Sequence, residues 1–415
     1  MQSSEEAGPS PSPPVEPLAR QARQLLVLGA ALFVAMAGFS VVVPALGDLA
    51  LRFRASGIEM GAMTAAYALA QLVSAPVWGV LSDRVGRKPI LVLGLLGFAL
   101  SFLLMGLARS FGALMAGRVV GGALSASTLS AAQAFAVDLV EPHERTMALG
   151  RLGAAMALGF VLGPVLAVAL LPFGIRAPFF FSMAVVLLTA AGAAAFLSNP
   201  GRMRGRVTGA SGFGFSPAFR HVVASPAAVW FWSAFVVMFG ASSVFALLVY
   251  FIEQQLHGTV LHASIVFACF GISSALCQGV LVGPLVRRLG EVQTVRAGLA
   301  LGVAGFALFT AAWSVAVTCL ASALIAAGMA LSRPTLATLA ASETPFGQGA
   351  TMGLLSAFDA LGRVLGPITA GLLYVLTPRA PFACATVIYA LGFAYVGAAR
   401  PSSKQSGNAM DDDAS

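Results

Sequence analysis

The sequence predicts an all-α integral membrane protein of twelve transmembrane helices in two pseudo-symmetric six-helix bundles, and three observations carry that fold class. The chain is 58% hydrophobic and only 10% charged over 415 residues, where a soluble protein carries about 25% charged residues. Its apolar residues gather into twelve runs, each near or above the roughly 20 residues that cross a hydrocarbon core. The runs divide into two sixes around a polar stretch, and the second six repeats features of the first.

The first six spans read as 24–46, 58–80, 88–108, 111–137, 146–172 and 176–198, the second six as 227–251, 262–286, 292–313, 315–340, 348–376 and 379–399. The segment before Leu25 is rich in Ser, Pro and Glu, without a basic n-region or a small-residue cleavage site, so the first span is expected to act as an uncleaved signal. The tails 1–23 and 400–415 read as disordered and cytoplasmic. The segment 199–226, with several Gly and four Arg, reads as a cytoplasmic linker between an N-terminal bundle, 24–198, and a C-terminal bundle, 227–399.

Orientation follows from Lys and Arg. With both termini inside, sixteen of the 24 fall on the cytoplasmic side and five (Arg52, Arg54, Arg109, Arg176 and Arg379) outside, while Arg118, Arg333 and Arg363 lie within helices. This positive-inside bias accounts for the net charge of +8 without a nucleic-acid partner. Cys269, Cys277, Cys319 and Cys384 all fall in spans, with neither a disulfide framework nor a metal-ligand spacing, and no cofactor or metal is expected. His143, His221, His257 and His262 lie in loops or at helix ends, and no His/Glu or Ser/His/Asp set converges on one face, which argues against a membrane enzyme.

Between the second and third spans, Asp83, Arg84, Arg87 and Lys88 crowd into a short charged turn flanked by Gly79 and Gly86. The segment 79–86 recurs as 283–290, 204 residues later, with Arg287 in place of Asp83. On helix 5, Gly150 precedes Gly159-x3-Gly163-Pro164, which recurs 203 residues later as Gly362-x3-Gly366-Pro367. Such glycines let backbones approach closely, and the proline kinks the helix. Arg118 on helix 4 is followed by Gly121 and Gly122. A buried arginine costs at least about 2.5–3.5 kcal/mol on insertion scales, so it is expected to face a cavity or a partner. Asp359, the one acid placed well inside a span, stands four residues from Arg363, so the two share a face and can pair. Tyr67 and Gln71 have the same spacing on helix 2; Arg333 lies on helix 10, nearer the inner surface; Gln278 lies on helix 8 with Phe267 and Phe270, and Phe235 and Phe239 lie on helix 7. Arg118, Arg333 and Arg363 against Asp359 leave the spans a formal +2, which favours an anionic or zwitterionic substrate.

The pattern Gly79-x-Leu81-x-Asp83-Arg84-x-Gly86-Arg87-Lys88 closely resembles the loop joining helices 2 and 3 in the major facilitator superfamily of secondary transporters. The helix 5 pattern resembles that of the drug:proton antiporter branch, and the Arg118 stretch resembles the superfamily's membrane-embedded arginine. Together with 278–290, these make the chain from 24 to 399 similar to tetracycline-resistance-like multidrug efflux proteins. That subfamily carries an acid in helix 1; Ala35 stands near the aligned position, so tetracycline itself is not the expected substrate. The resemblance implies alternating access. With helix 11 starting at the cytoplasmic face, Asp83, helped by Arg84, Arg87 and Asp138, is expected to latch the halves against the positive end of its dipole. Arg118, Asp359, Arg363, Arg333, Tyr67, Gln71 and Gln278 are the candidates for proton coupling and substrate binding. The expected function is proton-coupled export of an amphipathic drug, antibiotic or secondary metabolite across a bacterial inner membrane, by a monomer. Proton-coupled nutrient uptake is the alternative, and a non-transporting enzyme or sensor a distant one.

Overall fold

The computed structural model describes residues 18–141, 144–198, 225–344 and 348–398. Most of the expected tails and linker, with His143 and His221, lies outside them. Among the described residues there is no strand, and twelve helices are long and apolar enough to cross a membrane. The first six are α1 (Leu18–Arg52), α2 (Gly57–Val85), α3 (Arg87–Leu107), α4 (Phe111–Leu139), α5 (Arg145–Leu170) and α6 (Ala177–Phe196). The second six are α7 (Ala228–Gln255), α8 (Val260–Leu289), α9 (Glu291–Thr310), α10 (Val315–Glu343), α11 (Gln348–Leu376) and α12 (Ala380–Ala398). A π-helical turn, Cys277–Leu281, interrupts α8.

Several helices overrun the expected spans. The first starts at Leu18 and ends at Arg52, not 24–46, and α7 continues to Gln255. Hydropathy falls where charged residues begin, but the backbone stays helical until something turns or caps it. The charged turn after the second span is corrected accordingly. Gly79, Asp83 and Arg84 belong to the end of α2, and the chain reverses at Gly86 alone, whose φ of +112° suits a residue without a Cβ. Its repeat mate Gly290, φ +79°, separates α8 from α9 in the same way. Ser110 and Ser314 likewise cap α4 and α10 with matching backbones (φ −149° and −150°), each hydroxyl accepting from the amide three residues on.

Both halves follow one packing plan. In the first, α1 lies on α5 and α6, α3 on α4 and α6, and α2 on α4; in the second, α7 lies on α11 and α12, α9 on α10 and α12, and α8 on α10. Lipid tails are as apolar as leucine, so helices associate through close contact at small residues. Gly94 of α3 sits against Ser127 and Thr128 of α4, and Gly298 of α9 against Gly328 and Ser332 of α10. Large side chains fill what remains: Phe98, Phe102, Phe135 and Phe179 in one core, Phe231, Phe306, Phe309 and Phe382 in the other.

The halves meet chiefly through α2 with α11, α5 with α8 and α1 with α7. Twelve spans put both termini and the Gly86 turn on one face, and the seal lies on the opposite face. There Gly47 abuts Val249, Gly57 abuts Tyr374, Gly61 abuts the Pro367 carbonyl, and the Tyr250 hydroxyl donates to the Ala55 carbonyl at 2.6 Å. Ala246, Leu247, Tyr250, Ala370 and Tyr374 of the second half join the core of the first. Toward the terminus-bearing face no such close approach between the halves recurs among the described residues. A Cβ built on Gly79, Gly150, Gly153, Gly279 or Gly353 would meet nothing within 4 Å, and among the described residues α4 is not packed against α10.

Candidate functional site

Midway along α11, about 16 Å from its first residue, the predicted acid and base have different partners from those expected. Asp359 Oδ2 accepts from Arg333 Nη2 of α10 at 2.7 Å, with the Asp359 side chain 14% exposed. Arg363 Nη1 donates to Gln71 Oε1 of α2 at 3.3 Å, across the two halves. The expected Asp359–Arg363 pair is therefore corrected to Asp359–Arg333. Four-residue spacing puts two side chains on one face, but tertiary packing brings Arg333 to the carboxylate and directs Arg363 across to Gln71.

Arg118 is 5% exposed, and no carboxylate pairs with it among the described residues. Its guanidinium lies 4.9 Å from the centre of the Tyr67 ring and 5.5 Å from that of Phe39, so ring quadrupoles rather than a counter-ion stabilise it. Its Nε has no hydrogen-bond partner among the described residues. The Tyr67 hydroxyl in turn lies 3.0 Å from Ser125 Oγ. Gly121 and Gly122 have a physical use here: they lie against Ser101 Oγ and the Tyr67 carbonyl, which lets α4 approach α3 and α2. The structure thus joins Tyr67 with Arg118, Gln71 with Arg363, and Arg333 with Asp359. Gln278 is exposed in the π turn, and no hydrogen bond or ion pair links it to this cluster.

At the terminus-bearing face Arg87 is a hub. Its Nε donates to Asp138 Oδ2 at 2.9 Å, and its Nη1 to Asp83 and, at 3.3 Å, to Ser82 Oγ. The ends of α2, α3 and α4 are thereby tied within one half. Asp83 pairs with the guanidinium across the Gly86 turn rather than with α11, as expected where the halves have parted; Arg84 is exposed.

Two of the three helix 5 glycines allow the close backbone approach expected of them, and Gly150 does not. Gly159 lies against the Phe33 carbonyl and Gly163 against Ser40 and the Ala37 carbonyl, so both seat α5 on α1 inside one half; Gly150 touches nothing. Pro164 lies within α5, which stays helical through it. These glycines build the half. They do not form the surface along which the halves would move.

The sequence reading missed one pair of acids. Because α1 and α7 run further than hydropathy indicates, Asp48 and Glu253 lie in helices at the sealed face, one from each half. Arg52 Nε donates to Asp48 Oδ2 at 2.9 Å, Glu253 is within hydrogen-bonding reach of Asp48, and Glu253 Oε1 is buried without a partner among the described residues. The four-residue spacing of Asp48 and Arg52 was the available signal.

A family model described as Major Facilitator Superfamily matches residues 28–346 and, in a second match, 230–412. The chain belongs to this superfamily. Over 376 residues it is 31% identical to multidrug resistance protein 1 of Bacillus subtilis (strain 168), covering 89% of this chain and 94% of that protein. Over 355 residues it is 28% identical to the class C tetracycline resistance protein of Escherichia coli, covering 84% of this chain and 89% of that one. A solved structure of a bacterial homolog of the human lysosomal transporter Spinster, inward-facing and occupied, matches with a TM-score of 0.75 at 16% identity, over 92% of this chain and 97% of that one, a likeness of fold. The superfamily and the helical fold expected from the sequence are both found. The chain is a multi-pass membrane transporter of small molecules whose relatives include drug and antibiotic resistance proteins.

Proposed function

We propose that the protein is a proton-coupled antiporter that exports an amphipathic small molecule by alternating access, as a monomer, with both termini on the cytoplasmic side of a bacterial inner membrane. The observation that carries this reading is the asymmetry of the two faces: the halves are sealed on one and parted on the other, around a polar cluster at mid-span. With the termini cytoplasmic, as the excess of Lys and Arg on that side favours, this is the inward-open arrangement. Asp359 is the proposed proton carrier, because it is a carboxylate well inside the span, held by a partner on another helix. The efflux function of the relatives sets the proposed direction.

Inside-out vesicles test it. Acidifying the lumen should make substrate accumulate inside, and an uncoupler should release it. Accumulation in right-side-out vesicles under an inward proton gradient would instead make the protein an uptake system.

The Asp83–Arg87–Asp138 cluster is the proposed latch; the pairing of both carboxylates with Arg87 inside one half supports reading this arrangement as its released form. Asp83→Asn is expected to lower the transport rate about tenfold at unchanged membrane abundance, the scale of one lost charge-assisted hydrogen bond in the latched state. Full transport by this variant, measured against protein level in the same membranes, would reduce the motif to a topological anchor.

A further inference from the structure

Arg363 is a guanidinium at mid-span without a carboxylate of its own. Among the described residues its one hydrogen bond, at 3.3 Å, goes to the neutral amide oxygen of Gln71, and the residue is exposed even though it lies between the two halves. Asp359, one turn away, is engaged by Arg333. Arg118 is buried against aromatic rings with its Nε unpartnered, and the Tyr67 phenol stands within electrostatic reach of both Arg118 and Arg363. Three guanidiniums and one carboxylate leave the cluster two positive charges in excess. Ionised groups at this depth ordinarily face a partner or mark a substrate path, and the planar fork of an arginine fits two oxygens of a carboxylate or sulfonate.

We infer that Arg363, with Gln71 and Tyr67 beside it, docks the anionic group of the transported molecule, so that the substrate is an aromatic or amphipathic carboxylate or sulfonate rather than a lipophilic cation. Surfaces for the apolar body come from both halves. Phe39 packs on Tyr67 with ring centres 5.4 Å apart, the neighbouring Ser40 donates to the Phe160 carbonyl, and Phe160 meets Phe245 of the other half edge-on at 5.7 Å. An anion that replaces the long Gln71 contact on Arg363 would touch both halves at once, which is what a site midway through the cycle requires. Arg118, held in place by the rings, adds positive potential without occupying the site.

The inference rests on the transport reading of the same cleft, so its test is an equilibrium binding measurement that does not depend on direction or coupling. Full-length protein in nanodiscs is titrated by fluorescence polarisation with fluorescein, an anionic xanthene carboxylate, and with the cationic rhodamine methyl ester of the same ring system. The native protein should prefer fluorescein. Arg363→Gln should weaken fluorescein binding about ten- to a hundredfold, the loss that follows when a charge-assisted pair is removed, and should not weaken binding of the rhodamine, whose repulsion it lowers. Gln71→Glu, made on the opposite half, should weaken fluorescein binding to a similar degree by giving Arg363 a carboxylate of the protein's own. Preference for the cation, absence of fluorescein binding, or unchanged fluorescein affinity in both variants would overturn the inference. Failure of substrate to accumulate in inside-out vesicles, with these binding results intact, would overturn the export reading alone.

Discussion

Asp359→Asn is expected to cut transport driven by a pH gradient a hundredfold or more, while counterflow exchange of substrate in the absence of a gradient persists. An amide neither takes up nor releases a proton at these pH values, so the variant still binds substrate and changes state but gains nothing from the gradient. One proton moving down one pH unit supplies about 1.4 kcal/mol, enough for a tenfold substrate gradient. In the present arrangement Arg333 holds the carboxylate at 2.7 Å, so the proton must be loaded in a state where that contact is loosened. The side chain of Arg333 is 47% exposed, and stranding it should therefore not block insertion. The rival role is a static ion pair that steadies α11. If it is correct, the double variant Asp359→Asn with Arg333→Gln should transport like the native protein, since neither charge is then left unpaired. If the carrier role is correct, Arg333→Gln alone should slow transport yet keep its dependence on the gradient. Undiminished gradient-driven transport by Asp359→Asn would move the role to Asp138, which Arg87 holds at 2.9 Å.

The second large effect is expected at Gly61. A side chain there runs into the Pro367 carbonyl of the opposite half, and backbone cannot move aside as a flexible side chain can. Gly61→Leu should therefore exclude the sealed state while leaving both six-helix cores intact. Overpacking costs about 1–3 kcal/mol even where some relaxation is available, which shifts a two-state balance by roughly five- to 150-fold. Transport should be abolished at normal abundance, with a longer α2–α11 distance at the sealed end by spin-label spectroscopy. Gly159→Leu is the contrast. Its obstacle is the Phe33 carbonyl in the same half, so the protein itself should be lost from the membrane, whereas Gly150→Leu should be tolerated because nothing faces it. Native-like transport by Gly61→Leu would mean that the seal is not an obligatory state. A Gly159→Leu protein that accumulates normally but fails to transport would instead give the helix 5 glycines a part in the movement between states.

Much of the fold was legible because each span carries its own length and hydropathy, and because the repeat is written in local signals such as Gly86 with Gly290. Pairings were less legible. The spacing of Asp359 and Arg363 correctly put both on one face of α11, but it contained nothing about which helix would lie opposite; Arg333, 26 residues earlier in the chain, reached the carboxylate instead. Asp48 and Glu253 lie just beyond the expected spans 24–46 and 227–251, because charge ends a hydropathic run before it ends a helix. Which face is sealed was not legible at all. Under the proposed alternating access the same Gly61 and Pro367 separate in one state and touch in another, so no local pattern distinguishes the two.

The π turn in α8 explains an irregularity of the repeat. Helices α2 and α8 begin at Gly57 and Val260, 203 residues apart, but end at Val85 and Leu289, 204 apart. The second copy is thus one residue longer than the first, and its π turn lies inside the span rather than in a loop. In a regular helix an extra residue would rotate everything beyond it by about 100°; a π turn takes up the excess locally, so Gly290 still falls where Gly86 does. The correspondence of the two halves is therefore visible twice, in the positions that match and in the one turn that takes up the difference. The π turn lies in the second copy, a few residues from Arg287, which stands where the first copy has Asp83. The two copies thus differ in both length and charge pattern at this end: Asp83 and Arg87 of the first stand where the second has Arg287 and Glu291.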